Sequence, residues 1–349
     1  MKSVRATLPL VPASFFGIVL GLAALANAWR VAHSVWRLPA AVGELLFLLA
    51  ALAWLLVVAL YTAKWWLAPV VAHEESEHPV QCCFIGLAGV TTLLIAQGAL
   101  PYSRVAGVLL FLLGAVFTLA FGLWRTGLLW RGRRETGATT PILYLPTVAG
   151  GFVAGTTAAA LGWADWGQLA FGAALFSWLA IESVLLHRLY TGETLPPALR
   201  PTLGIQLAPP AVAAVCYLAV GGPADDLLAH ALIGYALLQA LLLLRMARWI
   251  AEAPFAPSYW AFTFGSVALA TAAVRVAGVA PGGAIADLAP VLFVAANILV
   301  LLIATGTLAL LFTGRLLPAK PPTQAAAAVA VAAAVAPAAG SSTRAQVRR

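Results

Sequence analysis

The side chains able to do chemistry are few. The five histidines (His33, His73, His78, His187, His230) show no metal-ligand spacing within an apolar run. The stretch HEESEH (73–78) has the donors for a cation, and equally the composition of a solvated acidic loop. Cys82, Cys83 and Cys216 lie in apolar runs with no CxxC, which reads as three small apolar side chains rather than a disulfide or zinc site. No GxSxG, no GxxxxGK[ST] and no GxGxxG after a strand is present. Serine hydrolysis, ATP-driven transport and dinucleotide chemistry therefore lack their machinery. No enzyme activity, no cofactor and no metal is expected. Three ionisable groups stand in apolar surroundings: Glu44, Glu182 and Arg245. Charges at membrane depth are costly, so they are paired, snorkel to an interface or carry function. Glu182 and Arg245 read either as a structural ion pair or, for Glu182, as a proton-coupling group.

The elements that hold these groups are membrane spans. The 349 residues are 62% hydrophobic and 9% charged, against about 25% charged in soluble domains. Lipid must be the solvent for most of the chain. A span needs about 20 residues, and ten candidates lie near 12–30, 39–64, 80–101, 104–124, 141–162, 166–187, 201–220, 226–248, 257–279 and 285–313. Of the 12 tryptophans, all but Trp54 and Trp178 fall near a proposed end, as an interfacial aromatic belt requires. With the N-terminus in the cytoplasm, all but four of the 20 Lys and Arg (Arg30, Arg37, Arg104 and Arg275) lie on the cytoplasmic side. The positive-inside rule then places both termini there. The net charge of +8 is accounted for by these span ends, and nucleic acid is not an expected partner. The apolar run behind Lys2 and Arg5 has no small-x-small exit and reads as a first span, not a cleaved leader.

The odd spans open on Pro12, Pro79, Pro141, Pro201 and Pro257, a two-helix unit recurring every ~60 residues. They concentrate glycine and proline, whereas the even spans are rich in leucine. Leucine faces lipid cheaply, while interrupted backbone at depth must be buried or line a cavity. The expected fold is all-α: ten transmembrane helices as five hairpins in a pseudo-five-fold arrangement, the odd helices lining a central pore. Taken singly, each glycine also reads as a close-packing position, as in the GxxxG pairs Gly17/Gly21 and Gly151/Gly155. Residues 1–316 form the ten-helix domain. Residues 317–349 are an Ala/Pro-rich tail without large side chains to bury, expected to be disordered.

The stretches PASFFGIVLGLAALANAWR, LYLPTVAGGFVAGTTAAALG, TLGIQLAPPAVAAVCYLA and YWAFTFGSVALATAA resemble the tellurite-resistance (TehA) family, which includes plant slow-type anion channels and a yeast malate permease. The resemblance runs over about residues 8–315. It implies five hairpins around a pore in a bacterial inner membrane, a homotrimer, and a mid-membrane phenylalanine gate that aligns with Phe264. Positions expected to line or kink the pore are Phe16, Gly17, Gly21, Gly86, Pro146, Gly150, Gly204, Pro209 and Gly265. The family often has proline where this chain has Val19. The leading reading is a passive channel for small inorganic or organic anions. The alternative is a proton-coupled exporter of tellurite or C4-dicarboxylates.

Overall fold

The computed structural model describes residues 8–132 and 136–317. The tail expected from residue 317 onward lies, but for Leu317 itself, outside the described residues. Among the described residues there is no strand, and ten helical spans are long and apolar enough to cross a membrane. We number them α1 (Ala13–Trp36), α2 (Ala40–Leu67), α3 (Gln81–Ala99), α4 (Arg104–Trp130), α5 (Pro141–Ala160), α6 (Ala164–Thr191), α7 (Pro197–Ala219), α8 (Leu227–Ile250), α9 (Pro257–Val279) and α10 (Ala284–Phe312). A short helix, Pro69–Glu77, links α2 to α3.

Consecutive spans pair as antiparallel hairpins, and the five odd spans close a ring: α1 on α3, α3 on α5, α5 on α7, α7 on α9, α9 on α1. The leucine-rich even spans stand outside. In the most apolar window of each span, 61–78% of residues are buried in the odd spans and 22–33% in the even ones. The inner and outer sets expected from composition are those observed. A helix that is apolar all round can be either inner or lipid-facing. The small residues decide, because they let inner backbones approach closely.

Every odd span begins with a tight turn. Residues Ala13–Phe15, Gln81–Gly86, Pro141–Tyr144, Pro197–Leu207 and Pro257–Trp260 are 3₁₀. In α5 a π segment, Leu145–Ala149, follows at once. Proline has no N–H to give an α turn and its ring crowds the preceding carbonyl, so the ladder rewinds around it. α7 starts at Pro197, four residues before the expected Pro201, which sits inside its 3₁₀ segment. The chain is tight there because Pro201, Pro209 and Pro210 all withhold donors. Three hairpin turns at the opposite end use a left-handed glycine: Gly162, Gly221 and Gly282. The first uses Arg37 (φ 58°).

Polar ties fix the bundle's ends. At the proline end, Glu75 of the linking helix accepts from Ala13 N–H (2.9 Å), Tyr61 Oη (3.1 Å) and Lys64 Nζ (2.7 Å). This anchors the linker to the start of α1. At the opposite end Arg30 chelates Glu44 (2.6 and 2.9 Å), which disposes of the first in-span carboxylate as a structural pair. Asp226 caps α8 through Leu228 N–H and accepts from Tyr217 Oη. These bonds, the tyrosine's first, hold its carboxyl below the usual aspartate range.

Candidate functional site

The ring of odd spans encloses two cavities, each of about 50 Å³ and each lined by all five odd helices and by no even one. By the same measure a water needs only about 10–15 Å³. Each cavity therefore has room for a small ion or a few waters. The first lies toward the proline end, and the residues on its wall with polar side-chain atoms are Ser14, Tyr144, Thr202, Ser258 and Trp260, none of them charged. The second lies toward the opposite end and is more polar, with Asn27, Gln97, Thr156, Thr271 and Arg275 on its wall. No carboxylate lines either cavity. Two residues belong to both linings, Val212 of α7 and Phe264 of α9. Phe264 is 6% exposed and contributes to the wall of both chambers.

Its aim is set by its neighbours along α9. Phe262 and Gly265 form one face against α7: a Cβ on Gly204 would fall 2.7 Å from the Phe262 ring, and one on Gly265 2.8 Å from the Ala208 backbone nitrogen. Thr263 and Trp260 form a second face, against Gly21 of α1. At 100° per residue the direction left over is that of Phe264. The same stripe carries Pro257, Ala261, Ala268, Thr271 and Arg275, all cavity residues.

The sequence-derived positions divide. Gly17, Pro209 and Phe264 line the first cavity. Phe16 does not: it is buried edge-on against Tyr61 of α2. Gly21, Gly204 and Gly265 are the close-approach points just described. Gly86 lies against Phe121, and Gly150 against Thr118, both of outer α4. Pro146 faces a groove between α4 and α6, on the side of α5 turned from the pore. These glycines sit at close contacts with neighbouring helices; an inner helix needs small residues on its flanks as well as on its lumen. Val19, where the family often has proline, is fully buried in an uninterrupted α helix.

Glu182 and Arg245 are not paired. Arg245 is exposed on α8. Glu182 is buried on α6, behind the cavity wall, and takes four neutral donors: Trp178 Nε1 (3.0 Å), Gln206 Nε2 (2.8 Å), Tyr235 Oη (2.6 Å) and the hydroxyl of Tyr144. Donors from α5, α6, α7 and α8 thus converge on one carboxylate. Sequence reasoning missed Val212 and Arg275. The signal for Arg275 was available, since it follows Phe264 by three helical turns on one face.

A family model described as voltage-dependent anion channel (SLAC1) matches residues 11–308. The chain belongs to that family. It is 35% identical over 264 residues to the tellurite resistance protein TehA homolog of Haemophilus influenzae, covering 75% of this chain and 80% of the relative. It is 24% identical over 304 residues to S-type anion channel SLAH2 of Arabidopsis thaliana, covering 83% and 57%. Against the guard cell S-type anion channel SLAC1 of the same plant it is 24% identical over 286 residues, covering 78% and 50%. The chain thus spans half, or little more, of the length of these plant relatives. Membership makes the chain a multi-pass membrane transport protein of an anion-channel family rather than an enzyme.

Proposed function

We propose that the chain is a passive anion channel of the bacterial inner membrane, closed at mid-membrane by the Phe264 ring. The observation that supports this reading is that Phe264 lines both of two cavities that only inner helices line. A phenyl ring in a narrow apolar passage blocks by occupancy and by dewetting. Conduction through the opened passage follows from the lining. A channel site must bind weakly enough for the ion to leave, and the first cavity offers no formal charge to trap one. All five inner helices start at the same end, so their positive dipole ends surround that mouth and favour anions. Dehydration cost then ranks the anions, with large, weakly hydrated ones passing best.

The Lys/Arg bias supports placing that mouth, and both termini, in the cytoplasm. Family resemblance supports a homotrimer, each protomer holding its own pore. The test is current through reconstituted protein at clamped voltage, comparing the parent with Phe264→Ala. Steady, reversible anion current that rises strongly in the variant and ignores pH is expected. Electroneutral, proton-dependent flux of tellurite or a C4-dicarboxylate would instead establish the coupled exporter.

A further inference from the structure

We propose that Arg275 forms the anion-binding site of the permeation path, in the chamber beyond Phe264, and that it takes a small monovalent anion such as nitrate or chloride. The proposal deepens the channel reading and rests on it for the word path; the binding itself does not.

Arg275 is partly buried, on the last turns of α9, and lines the second cavity. Four ion pairs occur among the described residues, and none includes it. The other arginines at this end within the ring's reach are spoken for: Arg30 by Glu44 and the Gly98 carbonyl, Arg104 by the Leu161 carbonyl. Arg275 gives one long bond, 3.4 Å, to the Val215 carbonyl. A guanidinium has five N–H donors, so among the described residues most of its fork has no acceptor. A charge withdrawn from water without a counter-charge is unfavourable, and an anion in the cavity is the available remedy.

The rest of the wall accommodates an anion without competing for it. The hydroxyls of Thr156 and Thr271 donate to their own helices, at Phe152 O (2.9 Å) and Val267 O (2.7 Å). Gln97 donates to Thr157 Oγ1 (2.8 Å) and accepts from Asn27 (3.4 Å). Asn27 therefore retains one amide hydrogen that Gln97 does not use, a neutral donor on the same cavity wall as the guanidinium. A cavity of about 50 Å³ suits a halide or nitrate, and the planar fork favours the planar oxyanion through two parallel bonds.

Position explains why a charge is used here and not in the first chamber. The inner helices run parallel, so their C-terminal, negative dipole ends converge on this end. Without Arg275 the far chamber would repel the anion that the near mouth attracts. The guanidinium reverses that sign along one stripe of α9, roughly 16 Å of helix beyond the Phe264 ring.

The experiment has an equilibrium arm and a conduction arm. Excess ³⁵Cl NMR line broadening by the purified full-length protein, competed by nitrate, reports binding whether or not the pore conducts. Broadening is expected for the parent, weakened roughly tenfold or more in affinity by Arg275→Gln and largely kept by Arg275→Lys, given the strength of charge-assisted bonds. Unfolding temperature and elution volume identify a variant that has not folded. No specific broadening in the parent, or equal broadening in a folded Arg275→Gln, overturns the site. In the Phe264→Ala background, Arg275→Gln should cut anion conductance several-fold at sub-saturating nitrate, and unchanged conductance overturns its place on the path. If Phe264→Ala carries no current at all, the gate reading fails, and the NMR arm still decides the site.

Discussion

Phe264 on α9 and Val212 on α7 are the two residues common to the linings of both chambers, so the proposed partition would consist of one aromatic ring and one β-branched side chain. The two differ in what their removal opens. Phe264 is the larger and projects from the lumen stripe, whereas Val212 sits in the first α turns after Pro209 and Pro210. Val212→Ala should raise anion conductance far less than Phe264→Ala, and the pair of changes should add little to the phenylalanine change alone. Oocyte or single-channel recordings check the order. Equal effects would mean that the constriction is shared rather than carried by the ring.

The α7/α9 seam should be intolerant of a methyl group. A Cβ on Gly204 meets the Phe262 ring at 2.7 Å and the Phe262 backbone nitrogen at 2.8 Å, and backbone cannot step aside as a side-chain tip can. Gly204→Ala is expected to destabilise by about 1–3 kcal/mol, the usual cost of overpacking. Phe262→Ala, at a partly buried ring, should cost about 2–3 kcal/mol. Neither should reproduce the current of Phe264→Ala. Thermal unfolding of the purified variants, with recordings beside it, separates seam from gate.

Orientation can be tested apart from conduction. Reporter fusions after Arg134 and at the C-terminus should both report cytoplasm, because the Lys/Arg bias sets the direction of each short hairpin. A periplasmic signal from either would invert the assignment of the proline end as the cytoplasmic mouth.

The hairpins, their order and the inner set were legible because lipid imposes a simple code: leucine outside, small and kinked residues within. Leu52, Leu56 and Leu109 are exposed, as that code requires. The lumen face of each inner helix was not legible from small residues, because Gly86, Gly150 and Gly204 serve neighbouring helices as readily as a pore. Nor could hydropathy reveal that Glu182 is satisfied by neutral donors, since its partners Tyr144, Gln206 and Tyr235 lie up to 53 residues away along the chain. Stripe geometry was the unused signal. Starting from Phe264, steps of three and four lead through Ala268 and Thr271 to Arg275, all on the cavity wall.

Glu182 provides the sharpest division between channel and exporter. Its carboxylate accepts from Trp178, Tyr144, Gln206 and Tyr235, and it lines neither chamber. An acceptor ringed by four neutral donors reads as a structural knot. Removing it leaves several buried donors without partners, each loss costing about 1–3 kcal/mol. Glu182→Ala should therefore fold poorly or unfold many degrees lower. Glu182→Gln keeps one acceptor oxygen but sets its amide hydrogens against donors, so a loss of about 1–3 kcal/mol is expected with the fold intact. The decisive readout is current, not stability. In the Phe264→Ala background, Glu182→Gln should leave the anion selectivity and the pH-independence of conduction unchanged. A coupling group would behave otherwise, because its neutral mimic would abolish proton-dependent flux while sparing the fold. Proton-dependent uptake into vesicles, present in the parent and lost in a folded Glu182→Gln, would assign the carboxylate to transport and overturn the structural knot.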